Sequence, residues 1–188
     1  MEKILIATRN KDKFEVVTKI LNNIFDKEYK FYSLYDIDNI EKDDKEEGTI
    51  QQRAYKKAMQ IYTSIEENEF KYIVGIDDGI KMKGILRENV KDYMRDIIND
   101  QYLTEGEQVQ IVRAYCFINM QGEHTIITTQ IPFKYKKING KLEIKENSYP
   151  LSNVLTPIDD DKTVSQIEQN ERNEYYVKYS EEEFKGLI

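Results

Sequence analysis

A short apolar run over residues 3 to 8, Lys-Ile-Leu-Ile-Ala-Thr, is followed by Arg9, Asn10, Lys11, Asp12 and Lys13. Apolar residues then recur at Phe14, Val17, Ile20, Leu21, Ile24 and Phe25. The run reads as a buried strand and the later spacing as one face of a helix, with Asn10 or Asp12 available to cap its start. A strand that turns directly into an amphipathic helix constrains the whole chain. The helix has to bury its apolar stripe on the sheet that the strand belongs to, which makes an α/β arrangement. The same turn leaves the free amide hydrogens and positive dipole end of the helix beside Thr8, Asn10 and Lys13, and that combination suits phosphate.

The pattern continues along the chain. Residues 29 to 34 read as a second strand, and 36 to 48 as a charged loop without apolar periodicity. Thr49 and Gln52 have the spacing of a capping box. Ile50, Ala54, Ala58, Ile61 and Ile65 then mark one helix face. Residues 71 to 76 read as a strand that ends in Asp77, Asp78 and Gly79. Val90, Tyr93, Met94, Ile97 and Ile98 again have helical spacing. Residues 109 to 120 and 124 to 137 read as two long strands joined in a hairpin at Gly122. A short hairpin is expected within 138 to 147 around Asn139 and Gly140, and a short helix over 178 to 187. Without an internal repeat or a low-complexity linker, the 188 residues read as a single domain with a mixed sheet.

Charge sets the terms for any ligand. The formal net charge is −7, so the chain has no general attraction for nucleic acid or for an anionic membrane. A phosphate ligand has to be held by a local cationic cluster. No stretch is long and apolar enough for a membrane span, and the first residues lack a signal-peptide layout. The single cysteine, Cys116, rules out an internal disulfide and suits the cytoplasm. Its alternation with apolar neighbours makes it a core residue, and His124, near Gly122, reads as a surface turn residue. With one Cys and one His, a zinc site is not expected.

Three segments carry chemistry. The first is Thr8, Asn10 and Lys13. The second is Glu46, Glu47, Gly48 and Thr49 with Arg53 and Lys57, which lie four apart on one helix face. The carboxylates there could hold a metal and the cations a polyphosphate. The third is Asp77 and Asp78, which follow a strand. Ligands of open α/β sheets bind beyond strand carboxyl ends, and paired acids there suit Mg2+. Read singly, each segment also fits a capped helix, a solvated charged face or a polar turn.

In order and together, the three resemble the inosine triphosphate pyrophosphatase family. Residues 3 to 14 resemble that family's strand, Thr/Ser-x-Asn-x-x-Lys and helix, with Thr8, Asn10 and Lys13 on its functional positions. Glu46 to Ile50 resemble its metal-binding loop, Lys57 its helix lysine, and Ile76 to Gly79 its acidic strand end, with Asp78 at the essential acid. Arg113 and Ala114 fit a later Arg/Ala pattern more loosely. The resemblance implies an elongated, two-lobed α/β fold with a mixed central sheet and a long nucleotide cleft, often in a homodimer. It implies Mg2+-assisted hydrolysis of a nucleoside triphosphate, a purine such as inosine or deoxyinosine triphosphate, to monophosphate and pyrophosphate. In that scheme Asp78, with Asp77, binds Mg2+ or activates water. Glu46 or Glu47 completes the metal site, and Lys13, Arg53 and Lys57 neutralise phosphate.

The base end departs from the family. Where an aromatic-Gly-aromatic-Asp-Pro segment is expected, the chain has Leu151, Ser152, Asn153, Val154 and Leu155. Where a Lys-Asn-x-x-Ser-His-Arg signature is expected, it has Arg172, Asn173, Glu174, Tyr175, Tyr176, Val177 and Lys178. Lys178 stands in for an arginine whose planar fork it does not reproduce. The candidates for base recognition are therefore Asn153, Arg172, Asn173, Tyr176 and Lys178. The same resemblance carries a second implication, a nucleotide sensor with weak or absent turnover that works through a protein effector partner, for example in a bacterial antiviral complex.

Overall fold

The computed structural model describes residues 1–25, 27–37, 47–65, 69–99, 102–138 and 150–187. Strand β1 (Glu2–Ile6) leads through the Thr8–Asn10 turn into helix α1 (Lys11–Ile24) and on to β2 (Tyr29–Ser33). Helix α2 (Ile50–Ser64) precedes the long strand β3 (Phe70–Met82), the short β4 (Ile85–Arg87) and helix α3 (Val90–Ile98). The hairpin of β5 (Gln108–Asn119) and β6 (His124–Tyr135) is followed by β7 (Leu155–Pro157), α4 (Gln169–Lys178) and α5 (Glu181–Phe184). These strands make one mixed sheet in the order β2-β1-β3-β5-β6-β7, with β4 paired to β3. β1 runs parallel to β2 and β3, and the remaining pairs are antiparallel. No helix of the described residues is long and apolar enough to cross a membrane.

Strand alternation divides the core. Ile4, Ile6, Val74, Ile76, Tyr115 and Phe117 face α1 and pack with Val17, Ile20, Leu21, Val177 and Phe184. Their neighbours Leu5, Ile73, Ala114, Cys116 and Ile118 face the other way, onto Ile50, Ala54, Ala58 and Ile61 of α2. A third cluster gathers the far ends of β3, β5 and β6 with α3: Ile80, Met82, Val90, Ile97, Val109, Ile111 and Phe133. Cys116 is fully buried, which pushes its thiol up to about 11, whereas His124 is exposed and stacks near Tyr55.

The expected caps are present. Asn10, rather than Asp12, caps α1 by accepting from the Lys13 amide, and Thr49 with Gln52 closes the capping box of α2. Two expectations change. β3 does not end at Asp77 but runs on to Met82, because Asp77, Asp78 and Gly79 pair with Ala114, Arg113 and Val112 of β5 and the apolar alternation resumes at Ile80. The C-terminal helix is not one element over 178 to 187. α4 occupies Gln169–Lys178, and a break at Tyr179 and Ser180 precedes α5. Apart from Val177, the buried position of α4 is polar, Asn173, so the apolar period that announces a helix is weak there. The expected hairpin within 138 to 147 and most of the charged loop lie outside the described residues.

Gly75 sets the depth at which α2 sits. A Cβ there would fall 2.0 Å from the Ala54 carbonyl oxygen and 2.7 Å from the Ala58 amide. The helix backbone thus lies directly on β3, with only alanine side chains between, and this approach brings Arg53 and Lys57 onto the strand at Asp77. Gly75→Ala is expected to cost roughly 3 kcal/mol, the upper part of the range for overpacking. Chemical denaturation should show a lower midpoint with an unchanged slope. An unchanged midpoint would mean that α2 does not rest on Gly75.

Candidate functional site

The two acids of β3 point to opposite faces of the sheet, as consecutive strand residues must, and each meets its own pair of cations. Asp78 lies directly opposite Arg113 of β5. It accepts from Arg113 Nε at 2.7 Å and Nη2 at 3.1 Å, and from Lys13 Nζ of α1 at 3.0 Å. Bidentate pairing with a buried guanidinium is the strong form of such a contact. Asp77 accepts from Lys57 Nζ at 2.5 Å and from Arg53 Nε. Arg53 also donates to the Gly48 carbonyl at 2.8 Å and to the Glu88 carbonyl, while the Glu88 carboxylate accepts from the Ile50 amide at 2.7 Å. Arg53 therefore fastens two loops to β3, and Glu88 occupies the amide end of α2.

Burial alone would raise the Asp78 carboxyl, but the charges of Arg113 and Lys13 outweigh it and hold Asp78 far below the usual carboxylate range. For Lys13 the balance goes the other way, with desolvation lowering its ammonium below the ordinary value despite Asp78. The Tyr176 ring lies under the Arg113 guanidinium, 4.8 Å from its centroid, in cation–π contact. Burial pushes the Tyr176 phenol up to about 12, so it remains a neutral hydrogen-bonding group.

These groups surround a cavity of about 210 Å3. The structure brings Asn10, Lys13, Arg53, Asp77, Asp78, Arg172, Asn173 and Tyr176 to its wall. Lys57 pairs with Asp77 and is not on the lining. Thr8 lies off the wall too, where its hydroxyl accepts from the Asn10 amide at 3.0 Å and shapes the turn. Asn153 is not on the wall, although its neighbour Ser152 is. Lys178 is exposed and pairs with Asp159 at 3.2 Å. Glu47 is exposed, and Glu46 lies outside the described residues. Asn173 is already engaged, donating to Glu15 of α1 at 2.8 Å and accepting from Gln169 at 3.1 Å, so it ties α4 to α1. A second hollow of about 420 Å3 adjoins the first, and Val164, Arg172 and Tyr176 line both.

The sequence reading left out Arg113 as a site residue, together with Ser152, Gln169, Asn89 and Lys91 on the cavity wall. Arg113 had a signal: it is the one charged residue in the run from Ile111 to Ile118, and a cation in a buried strand requires a partner. The others are ordinary polar residues with no local mark.

Among the described residues, which do not include Glu46, the donors present do not fit a resident Mg2+. Among the described residues, no three His, Cys, Asp or Glu side chains form a metal-binding group. Both oxygens of Asp77 and both of Asp78 accept from protein cations.

No family model matches the chain, and no curated protein matches it in sequence. Solved structures do match. A Ham1 protein from Coxiella burnetii aligns over 100% of this chain and 98% of its own, with a TM-score of 0.64 and 14% identity. The Staphylococcus aureus Ham1 protein aligns over 99% and 97%, with a TM-score of 0.62 and 13% identity. A nucleoside-triphosphatase (dITP/XTP pyrophosphatase) from Mycobacterium abscessus aligns over 99% and 97%, with a TM-score of 0.60 and 14% identity. The chain has the Ham1 fold. At these identities the likeness is one of fold, and it bears out the mixed-sheet α/β architecture implied by the motifs.

Within this Ham1 fold the Asp78 cluster has a pH signature. A carboxyl lowered on folding contributes stability that is full above its unfolded value, about 3.9, and is lost as pH falls toward the folded one. Asp78→Asn strands two cations and is expected to cost about 3 kcal/mol at neutral pH. The gap to wild type should narrow below about pH 4. Denaturant melts from neutral to acid pH test this, and a gap that stays constant would remove Asp78 from the account.

Proposed function

We propose that the cavity binds a nucleoside triphosphate, with the polyphosphate toward Lys13 and Arg113 and the base toward Ser152, Arg172, Asn173 and Tyr176. The observation that supports this most directly is local charge. In a chain of net charge −7, the cavity wall carries Lys13, Arg53, Lys91, Arg113 and Arg172 against Asp12, Asp77 and Asp78. Such a surplus of cations in a concave, partly apolar site suits a polyanion. Arg53 and Lys57 act in this reading through Asp77, as positioning groups. At the other end, Arg172, Tyr176 and the amides of Gln169 and Asn173 offer a planar cation, a ring and hydrogen bonds to a base. The adjoining hollow behind Arg172 and Tyr176 gives the ligand further length. The preferred base in this reading is a purine with a 6-oxo group, as in the dITP/XTP pyrophosphatase of the same fold.

Hydrolysis to monophosphate and pyrophosphate is proposed as a weak activity. Asp78, with Asp77, is the group that would activate water. A carboxylate held this low and bonded to two cations is a poor base. That geometry favours a sensor, in which the bound nucleotide is read by a protein effector or across a homodimer rather than consumed.

Calorimetric titration of inosine, xanthosine, guanosine and adenosine triphosphates, ribose and deoxyribose forms, checks the reading. Lys13→Ala should weaken triphosphates by about tenfold or more, the effect of losing a charged hydrogen bond, and leave nucleosides unchanged. Arg172→Ala should flatten the preference among bases. Equal loss for nucleoside and triphosphate, or the same affinity for every base with and without Arg172, would refute the orientation. Pyrophosphate release measured beside binding should be slow at saturating ligand, whereas turnover as fast as an efficient pyrophosphatase would refute the sensor.

A further inference from the structure

Resting on the nucleotide reading above, we propose that the cleft takes its triphosphate as the free polyanion, without a divalent ion, Lys13 and Arg113 supplying the counter-charge that Mg2+ would otherwise bring. Mg2+ needs carboxylate or phosphate oxygens in near-octahedral array and is usually held by one or two carboxylates together with substrate phosphates. Asp78 gives Oδ1 to Arg113 Nε at 2.7 Å, and Oδ2 to Arg113 Nη2 at 3.1 Å and to Lys13 Nζ at 3.0 Å. Asp77 gives Oδ1 to Lys57 at 2.5 Å and Oδ2 to Arg53. A hard ion approaching either carboxylate would have to displace a cation, then remain beside the displaced group and its neighbour in a site of low dielectric, where like charges repel strongly.

The displaced groups could not retreat easily. The side chains of Arg53 and Arg113 are only 5% and 6% exposed. Arg53 is fixed by two carbonyls and Arg113 by the Tyr176 ring. The same burial holds Arg113 beside Lys13 as a preformed cationic pair for phosphate oxygens, while Arg53 stays engaged by Asp77 and its two carbonyls. Lys13 is the most adaptable of the set, because its flexible stem reaches Asp78 from the first turn of α1 and lets the ammonium move from carboxylate to phosphate. Other acids on the cavity wall do not rescue a metal site: Asp12 is exposed in the first turn of α1, and no metal-binding group forms among the described residues.

Titration of inosine triphosphate into the full chain, once in excess EDTA and once in excess magnesium chloride, tests this. The expected result is an affinity in EDTA equal to that in magnesium within about threefold, or tighter. Magnesium chloride alone should leave the melting temperature unchanged. Lys13→Ala, which removes one of the two cations on Asp78 Oδ2, should bind more weakly in EDTA and recover part of the loss in magnesium. Wild-type binding that is about tenfold or more tighter in magnesium, or a melting shift with magnesium alone, overturns the inference while leaving the nucleotide reading intact. Absence of heat for every triphosphate in both buffers overturns both.

Discussion

Asp78 joins three elements that are far apart in the chain. Its carboxylate on β3 accepts from Arg113 on β5 and Lys13 on α1, largely out of water. Burying three charges is costly unless every one finds a partner with good geometry, and only one register of β3 on β5 provides it. A slip of one residue would turn Arg113 to the opposite face, among Ile50, Ala54 and Ala58 beneath α2. The apolar alternation and the ion pair therefore select the same register. The hairpin pairing that follows, from Gln108 opposite Lys134 to Ile118 opposite His124, extends it to β6.

A second set of contacts is built on the other face. Gly75, Ala54 and Ala58 allow α2 to lie against β3, and this places Arg53 and Lys57 over Asp77. The two faces are thus cross-linked by acids one residue apart, each clasped by two cations. What remains toward the cavity is an excess of positive charge rather than an open acidic site. This distribution, more than the presence of two aspartates, is what bears on function. In the proposed reading, acids saturated by cations would organise a phosphate receptor and make weak bases, while the aromatic and amide groups of α4 would meet the base.

Much of the fold could be read in the chain because its signals were local. The β1–turn–α1 unit, the α2 capping box and the long hairpin each show in the spacing of adjacent residues, and they brought Asn10, Lys13, Asp77 and Asp78 forward together. The parts that escaped depend on distance. α4 has little apolar period of its own; it is held by Asn173 reaching Glu15, 158 residues away, and by Tyr175 and Tyr176 packing on Phe133. Arg113 gained its meaning only from the strand opposite. Asp77 and Asp78 suggested a paired acidic turn, and extending the strand through them sent the two side chains to different faces.

The central claim is that the phosphates lie at the Lys13–Arg113 end and the base lies toward α4. A crystal structure of the chain with bound inosine triphosphate tests it most directly. Terminal phosphate oxygens are expected at about 3 Å from Lys13 Nζ and the Arg113 guanidinium, the ordinary hydrogen-bond distance, with the purine beside Tyr176 and Arg172. A purine lying against Lys13, or a nucleotide seated outside this cavity, would contradict it.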